Sequence, residues 1–216
     1  SLVNFLAFLG WNPGTEQEIF SLAELVEAFS LERINKSGAR FDIDKANWYN
    51  QQYILKMSDE DLANRYIEMS KVEGRDVEQE YALVYVKMFK ERIQFLPELL
   101  SQGQFLMQDK LMEYDEKAVR KKWKGNAPEV MEKYVGVLDN EDNFEAEYLE
   151  KFTKKFIEDN ELSFGSLFPG LRLGLSGSLQ GPAIFDIMAI LGKEETINRL
   201  RIAPTAFAKI KEKANG

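Results

Sequence analysis

Apolar positions along this chain recur at three- and four-residue intervals rather than in alternation, which predicts helices almost throughout. The opening Ser1-Leu2-Val3-Asn4-Phe5-Leu6 already lies inside an amphipathic helix. Ser21-Leu22-Ala23-Glu24 has the spacing of a capping box, in which each end residue bonds a free amide of the first turn, and it opens a helix through Phe29. Asp44 is placed to cap a second helix carrying Trp48, Tyr49, Tyr53 and Ile54; small and polar residues from Asn35 to Phe41 form the intervening loop, with a short extended piece. Ser58-Asp59-Glu60-Asp61 starts another helix with carboxylates at the positive end of its dipole, and the loop around Gly74 ends it. A long helix is predicted from about Val77 to Leu96, closed by Pro97, which begins the next. Pro128 suits the first turn of a helix through Leu138. Phe144, Tyr148, Phe152 and Phe156 then form an i, i+4 ladder of ordinary bundle packing. The expected class is all-α, a set of helical bundles, because nothing alternates as a barrel strand would.

The stretch 163–181 breaks this periodicity. Glycines at 165, 170, 174, 177 and 181 interrupt it and call for unusual turns or close backbone approach. Pro182 then leads into a helix Ala183–Leu191 that Gly192 terminates, and a last helical pair ends near Lys211.

Composition narrows the chemistry more than the fold. A 216-residue chain with 44% hydrophobic residues can bury a core, as one large domain or two to three small ones. It contains no histidine, so a histidine general base, a catalytic triad and histidine metal ligands are excluded within it. It contains no cysteine, so disulfides and thiolate zinc sites are excluded too, which fits a cytoplasmic location. No apolar run has bilayer-spanning length and no signal peptide is visible, so no membrane partner is expected. With no initiator methionine, the chain reads as an excised fragment whose Ser1 is a remnant of its preparation. The net charge of −8 weighs against a nucleic-acid partner, unless positive charge is gathered on one face.

Four features carry candidate chemistry. Lys56-Met57-Ser58 resembles part of a nucleotide-binding loop, but Asp59-Glu60-Asp61 follows and would repel a pyrophosphate, so it reads as a helix start. The glycines at 165–181 lack the terminal Gly-Lys-Ser/Thr of a phosphate loop, and Pro182 removes an amide that an anion would want. Lys117, Arg120, Lys121, Lys122 and Lys124 surround Trp123; such a run either meets a phosphate backbone with a base stacked on the ring, or is a solvated helix end over a packed tryptophan. Arg92 falls in the stripe Tyr81, Tyr85, Met88, Phe95 of the long predicted helix. A charge there is costly unless it is paired to a neighbouring helix or sits at a groove mouth.

Two segments taken together carry a resemblance. Leu9-Gly10-Trp11-Asn12-Pro13 runs through Lys36-Ser37-Gly38-Ala39 and Phe41-Asp42 to Trp48-Tyr49-Asn50 and Tyr53-Ile54. Downstream, Leu171-Arg172-Leu173-Gly174-Leu175-Ser176-Gly177 leads to Gly181-Pro182-Ala183-Ile184-Phe185 and Leu191-Gly192-Lys193-Glu194-Glu195. The pair resembles the carboxyl-terminal half of a bacterial-type glutamyl-tRNA synthetase. That resemblance implies a stem-contact domain over 1–55, an anticodon-binding bundle over 56–160 and a terminal anticodon-binding subdomain over 161–216. Glutaminyl relatives use β-barrels for the same purpose.

By the same resemblance, Met88-Phe89-Lys90-Glu91-Arg92 is similar to the helix whose arginine reads the last anticodon base. Cytosine offers adjacent O2 and N3 acceptors that suit a guanidinium fork, whereas uracil has a donor at N3. Glutamate tRNAs end their anticodon in cytosine and glutamine tRNAs in guanine, so an arginine at 92 implies preference for tRNA(Glu). Arg172, Gly181, Pro182 and Ile184 match residues that lie against the anticodon. The family's catalytic half, with its His-Ile-Gly-His-like motif, ATP and magnesium, has no counterpart in a chain without histidine, so the chain itself is expected to be inactive and to bind no cofactor or metal. A monomer is expected, with no DNA partner. The rival readings are a paralogue that also charges tRNA(Gln), and a helical protein-interaction scaffold with no RNA role, which the acidic charge favours.

Overall fold

The computed structural model describes residues 1–35, 41–107 and 113–213. All elements among them are helical; the sole extended pairing is an isolated bridge between Trp11 and Ile34. The helices pack as two compact units, Ser1–Gln102 and Gly103–Gly216.

In the first unit, α1 (Leu2–Gly10) packs on α2 (Leu22–Ala28) and α3 (Ile43–Lys56). The capping box at α2 forms as expected, with Ser21 and Glu24 each satisfying the other's backbone amide. The cap of α3 is Asp42, not Asp44: its carboxylate accepts from the Lys45 amide, and Asp44 sits inside the first turn. The earlier part of the loop, 36–40, lies outside the described residues. Trp11, Phe20 and Leu25 form a buried cluster with Phe8, and Phe5 meets Tyr49 at 6.0 Å between ring centroids. Burial pushes the Tyr49 hydroxyl up to about 12, with the charge of Glu18 adding to it. Leu2, Val3 and Leu6 leave one face of α1 exposed.

The second half of this unit holds α4 (Asp59–Val72), α5 (Gln79–Phe89) and α6 (Glu98–Gln102). Ser58 caps α4 by accepting from the Asp61 amide at 3.0 Å, so Lys56-Met57-Ser58 is a helix start, as read from its acidic neighbours. Tyr66 and Tyr85 stack at 4.2 Å across α4 and α5. The long helix predicted to Leu96 needs correction: α5 ends at Phe89, and residues 90–97 form an irregular turn. The reason is tertiary. Ile93, fully buried, must drop into the core, and the Lys90 ammonium is drawn to the Met57 carbonyl at 2.6 Å and to Asp59 at 2.9 Å.

The second unit contains a 3₁₀ turn at Gln104–Leu106, α7 (Glu116–Lys122), α8 (Ala127–Leu138), α9 (Ala146–Asp159), α10 (Phe164–Ser176) and α11 (Ile184–Glu212). Pro128 stands in the first turn of α8 as predicted. Tyr148 and Phe152 stack on α9, while Tyr134 of α8 meets Phe156 edge-on at 5.2 Å, so the ladder is core packing. The glycine-rich stretch shows both of the expected uses of glycine. Most of it is helix α10, with Pro169 inside; Gly170 and Gly174 serve close packing, and Gly177 and Gly181 serve turns. A Cβ on Gly170 would stand 2.8 Å from the Trp123 ring and 2.9 Å from the Met131 methyl, so only glycine lets α10 approach α7 and α8 this closely. Gly177 then closes the helix in the left-handed conformation, φ 74°. The expected break at Gly192 is present inside α11, where φ is 73°.

Candidate nucleic-acid interface

Arg92 lies in the turn after α5, exposed to solvent, and not in a buried stripe. The stripe continues instead through Tyr85, Phe89 and Ile93, while Phe95 is 44% exposed. The partner helix that would pair a buried arginine is therefore not needed, and the Arg92 guanidinium meets no carboxylate among the described residues. Its backbone is held on both sides: the amide donates to the Phe89 carbonyl at 2.8 Å, and the carbonyl accepts from the Gln102 amide at 3.3 Å.

The second unit gathers Arg172, Gly181, Pro182 and Ile184 into one locality. Arg172 projects from α10, half-buried, and donates to the Pro182 carbonyl at 2.9 Å. The loop between α10 and α11 is further folded by Ser176, whose hydroxyl bonds the Arg172 and Ser178 carbonyls, and by the Asp115 amide, which donates to Gly177 at 2.7 Å. Gly181 has φ 134°, a backbone conformation that L side chains rarely adopt, so it exposes bare main chain. Pro182 and Ile184 are buried, and what they offer a ligand is the backbone shape of the loop rather than side-chain surface. Asp186, in the first turn of α11, has its carboxyl held above the usual range by burial and then by the charge of Glu150.

The basic run resolves into the plainer of its two readings for its aromatic. Trp123 is 4% exposed, packed edge-on against Phe207 at 5.0 Å and against Gly170, so no base can stack on it in this conformation. Lys117, Lys121, Lys122 and Lys124 are exposed around it, and Arg120 pairs with Glu116.

Sequence reasoning passed over Arg199. It is 3% exposed within α11 and donates from Nε to Glu195 at 2.5 Å and from Nη1 to the carbonyls of Phe105 at 2.7 Å and Leu175 at 3.0 Å. One guanidinium thus ties α11 to α10 and to the 3₁₀ turn at 104–106.

The anticodon-binding domain family matches residues 21–204. The chain belongs to that family. This anticodon-binding domain is 42% identical over 207 residues to the glutamate–tRNA ligase of Flavobacterium johnsoniae, a match that covers 96% of the chain and 41% of the ligase. It is 41% identical to the glutamate–tRNA ligase of Phocaeicola vulgatus, over 94% of the chain and 40% of that protein. The crystal structure of a glutamate tRNA ligase from Elizabethkingia meningosepticum in complex with its amino acid superposes with a TM-score of 0.87 at 33% identity, over 95% of the chain and 41% of that structure. The anticodon-binding domain thus spans about 41% of the length of these relatives. No helix among its described residues is long and apolar enough to cross a membrane.

Proposed function

We propose that this chain recognises the anticodon and stem of tRNA(Glu) as part of a glutamate–tRNA ligase. The observation that carries the reading is Arg92: an exposed guanidinium without a carboxylate partner among the described residues, on a turn whose backbone is fixed. Such a group meets the O2 and N3 acceptors of a splayed cytosine with two parallel hydrogen bonds, and guanine presents donors there instead. The loop at 177–183, with Arg172 bound across it, supplies the shallow backbone surface that unstacked bases need. Residues 1–55 would contact the stem, and 56–160 and 161–216 the anticodon.

In the whole ligase the reaction would be ATP-dependent activation of glutamate, then transfer to the tRNA terminal ribose, with magnesium. The residues here do not suit that chemistry: Lys56-Met57-Ser58 is committed to capping α4, with Asp59, Glu60 and Asp61 in its first turn. Adenylate formation therefore belongs outside this chain. A cytoplasmic monomer is the accompanying expectation.

Arg92→Ala is expected to weaken discrimination of the last anticodon base by about 1–3 kcal/mol. The test titrates the chain with glutamate tRNA and with the same tRNA carrying that cytosine replaced by guanine. Equal preference in wild type and variant would remove Arg92 as the reader. A chain that binds neither tRNA, with the full-length ligase equally indifferent to the base, would favour the scaffold.

A further inference from the structure

The turn that presents Arg92 is bonded at three of its carbonyls by side-chain amides from outside it. Gln51 Nε2 of α3 donates to the Glu91 carbonyl at 3.1 Å, Asn50 Nδ2 of α3 donates to the Gln94 carbonyl, and Gln102 Nε2 at the end of α6 donates to the Arg92 carbonyl at 3.3 Å. The Gln94 amide is taken by the Glu98 carboxylate at 2.8 Å. Asn50 and Gln51 are successive residues of one helix, so their side chains diverge by about 100°. Both nonetheless reach the turn, at carbonyls three residues apart. Ile93, fully buried at the centre of the turn, fixes its depth, and Lys90 fixes its entry through Met57 at the end of α3 and Asp59 at the start of α4.

We infer that Asn50, Gln51 and Gln102 are positioning residues for Arg92, holding the carbonyls of its turn so that the guanidinium meets the last anticodon base in one orientation. The inference rests on the reading of Arg92 given above. A side-chain amide suits this role because it donates to a carbonyl without charge, whereas a carboxylate would repel that oxygen and add negative charge beside an RNA strand. The helix ends at Phe89 with Lys90 as its cap, and past it no amide one turn on donates to the carbonyls of Glu91, Arg92 and Gln94, so they need other donors. With the amides in place, the turn is ordered before RNA arrives. Without them, ordering it opposes binding, and only the complex that uses Arg92 bears that cost. The arrangement also gives the segment Trp48-Tyr49-Asn50 a role at a distance from the RNA stem: it orients the reader of the anticodon.

The experiment compares the 216-residue chain with its Gln51→Met, Gln102→Met and Arg92→Ala variants. Methionine keeps the length of glutamine and removes the donor. Each protein is titrated with a synthetic anticodon stem-loop of tRNA(Glu) and with the same loop carrying guanine for the last cytosine; melting temperature is recorded alongside. Gln51→Met and Gln102→Met are expected each to lower the ratio of the two affinities by about 2- to 10-fold, with little change for the guanine loop. A merely structural role would weaken both loops alike and leave the ratio untouched. Wild-type ratios in both methionine variants, with Arg92→Ala flattening discrimination, would overturn the positioning role and leave the reading of Arg92 standing. An unchanged ratio in Arg92→Ala would overturn that reading, and the inference with it. Because the two pins come from α3 and α6, a folding defect in one variant leaves the other to decide.

Discussion

Arg199→Met is expected to destabilise the 103–216 unit by about 3–5 kcal/mol. The side chain is 3% exposed and directs its donors to two main-chain carbonyls, Phe105 and Leu175, as well as to Glu195. Hydrogen bonds from a charged donor contribute about 1.5–3 kcal/mol each, and methionine leaves both carbonyls in place with nothing to accept from. Glu195 adds less, because about a third of its side chain remains exposed and water can take over its solvation. Urea denaturation followed by hydrogen exchange of the α11 amides measures the change. A loss below about 1 kcal/mol would mean that water reaches both carbonyls. Glu195→Gln, by contrast, should be the milder change.

Trp123→Ala is expected to cost about 3–5 kcal/mol, the usual range for emptying a large aromatic site in a core. Phe207 and Tyr114 meet edge-on at 4.9 Å beside the site, and Gly170 offers no side chain that could fall into the void. RNA affinity of the folded fraction should stay at the wild-type value. The alternative role for this tryptophan makes the opposite forecast: a stacked base lost with it would cost about 1–3 kcal/mol of binding and little stability. Measuring both quantities on one variant separates the two.

What could be read from the residues alone was mostly local. The Ser21 box, the Ser58 cap, Pro128 and the break at Gly192 are each decided within four or five residues, where side chain and backbone meet without help from the rest of the chain. The end of α5 was not legible, because Lys90 answers to Met57 and Asp59, more than thirty residues away, and Asn50 and Gln51 answer to the turn across a similar separation. Arg92 leaves its apolar stripe when the helix ends early, whereas Arg199 stays on a buried face, three residues after Thr196 and four before Ala203. The paired, buried cation is thus found in α11 rather than α5. The loop at 177–183 was flagged by its glycines, but the bond from Arg172 that fixes it joins two elements that no spacing rule connects.

The ion pairs along the helices bear on how this acidic chain would respond to salt. On α9 each lysine of the outer face is matched one turn away: Lys151 by Glu147, Lys154 by Glu150 and Lys155 by Asp159. Cations already paired in this way have no free charge with which to displace counterions condensed on RNA. Exposed cations without an ion-paired carboxylate among the described residues include Lys117, Lys121, Lys122 and Lys124 around Trp123 and, elsewhere, Arg65, Lys71, Lys87, Arg92 and Lys209. Were the four lysines of the 117–124 run to meet a single-stranded backbone, they would set the slope of log affinity against log salt at about −2.8, and titrations across a salt series read it directly. A slope that shallow would let the binding survive ionic strengths that strip a strongly basic RNA-binding protein from its target.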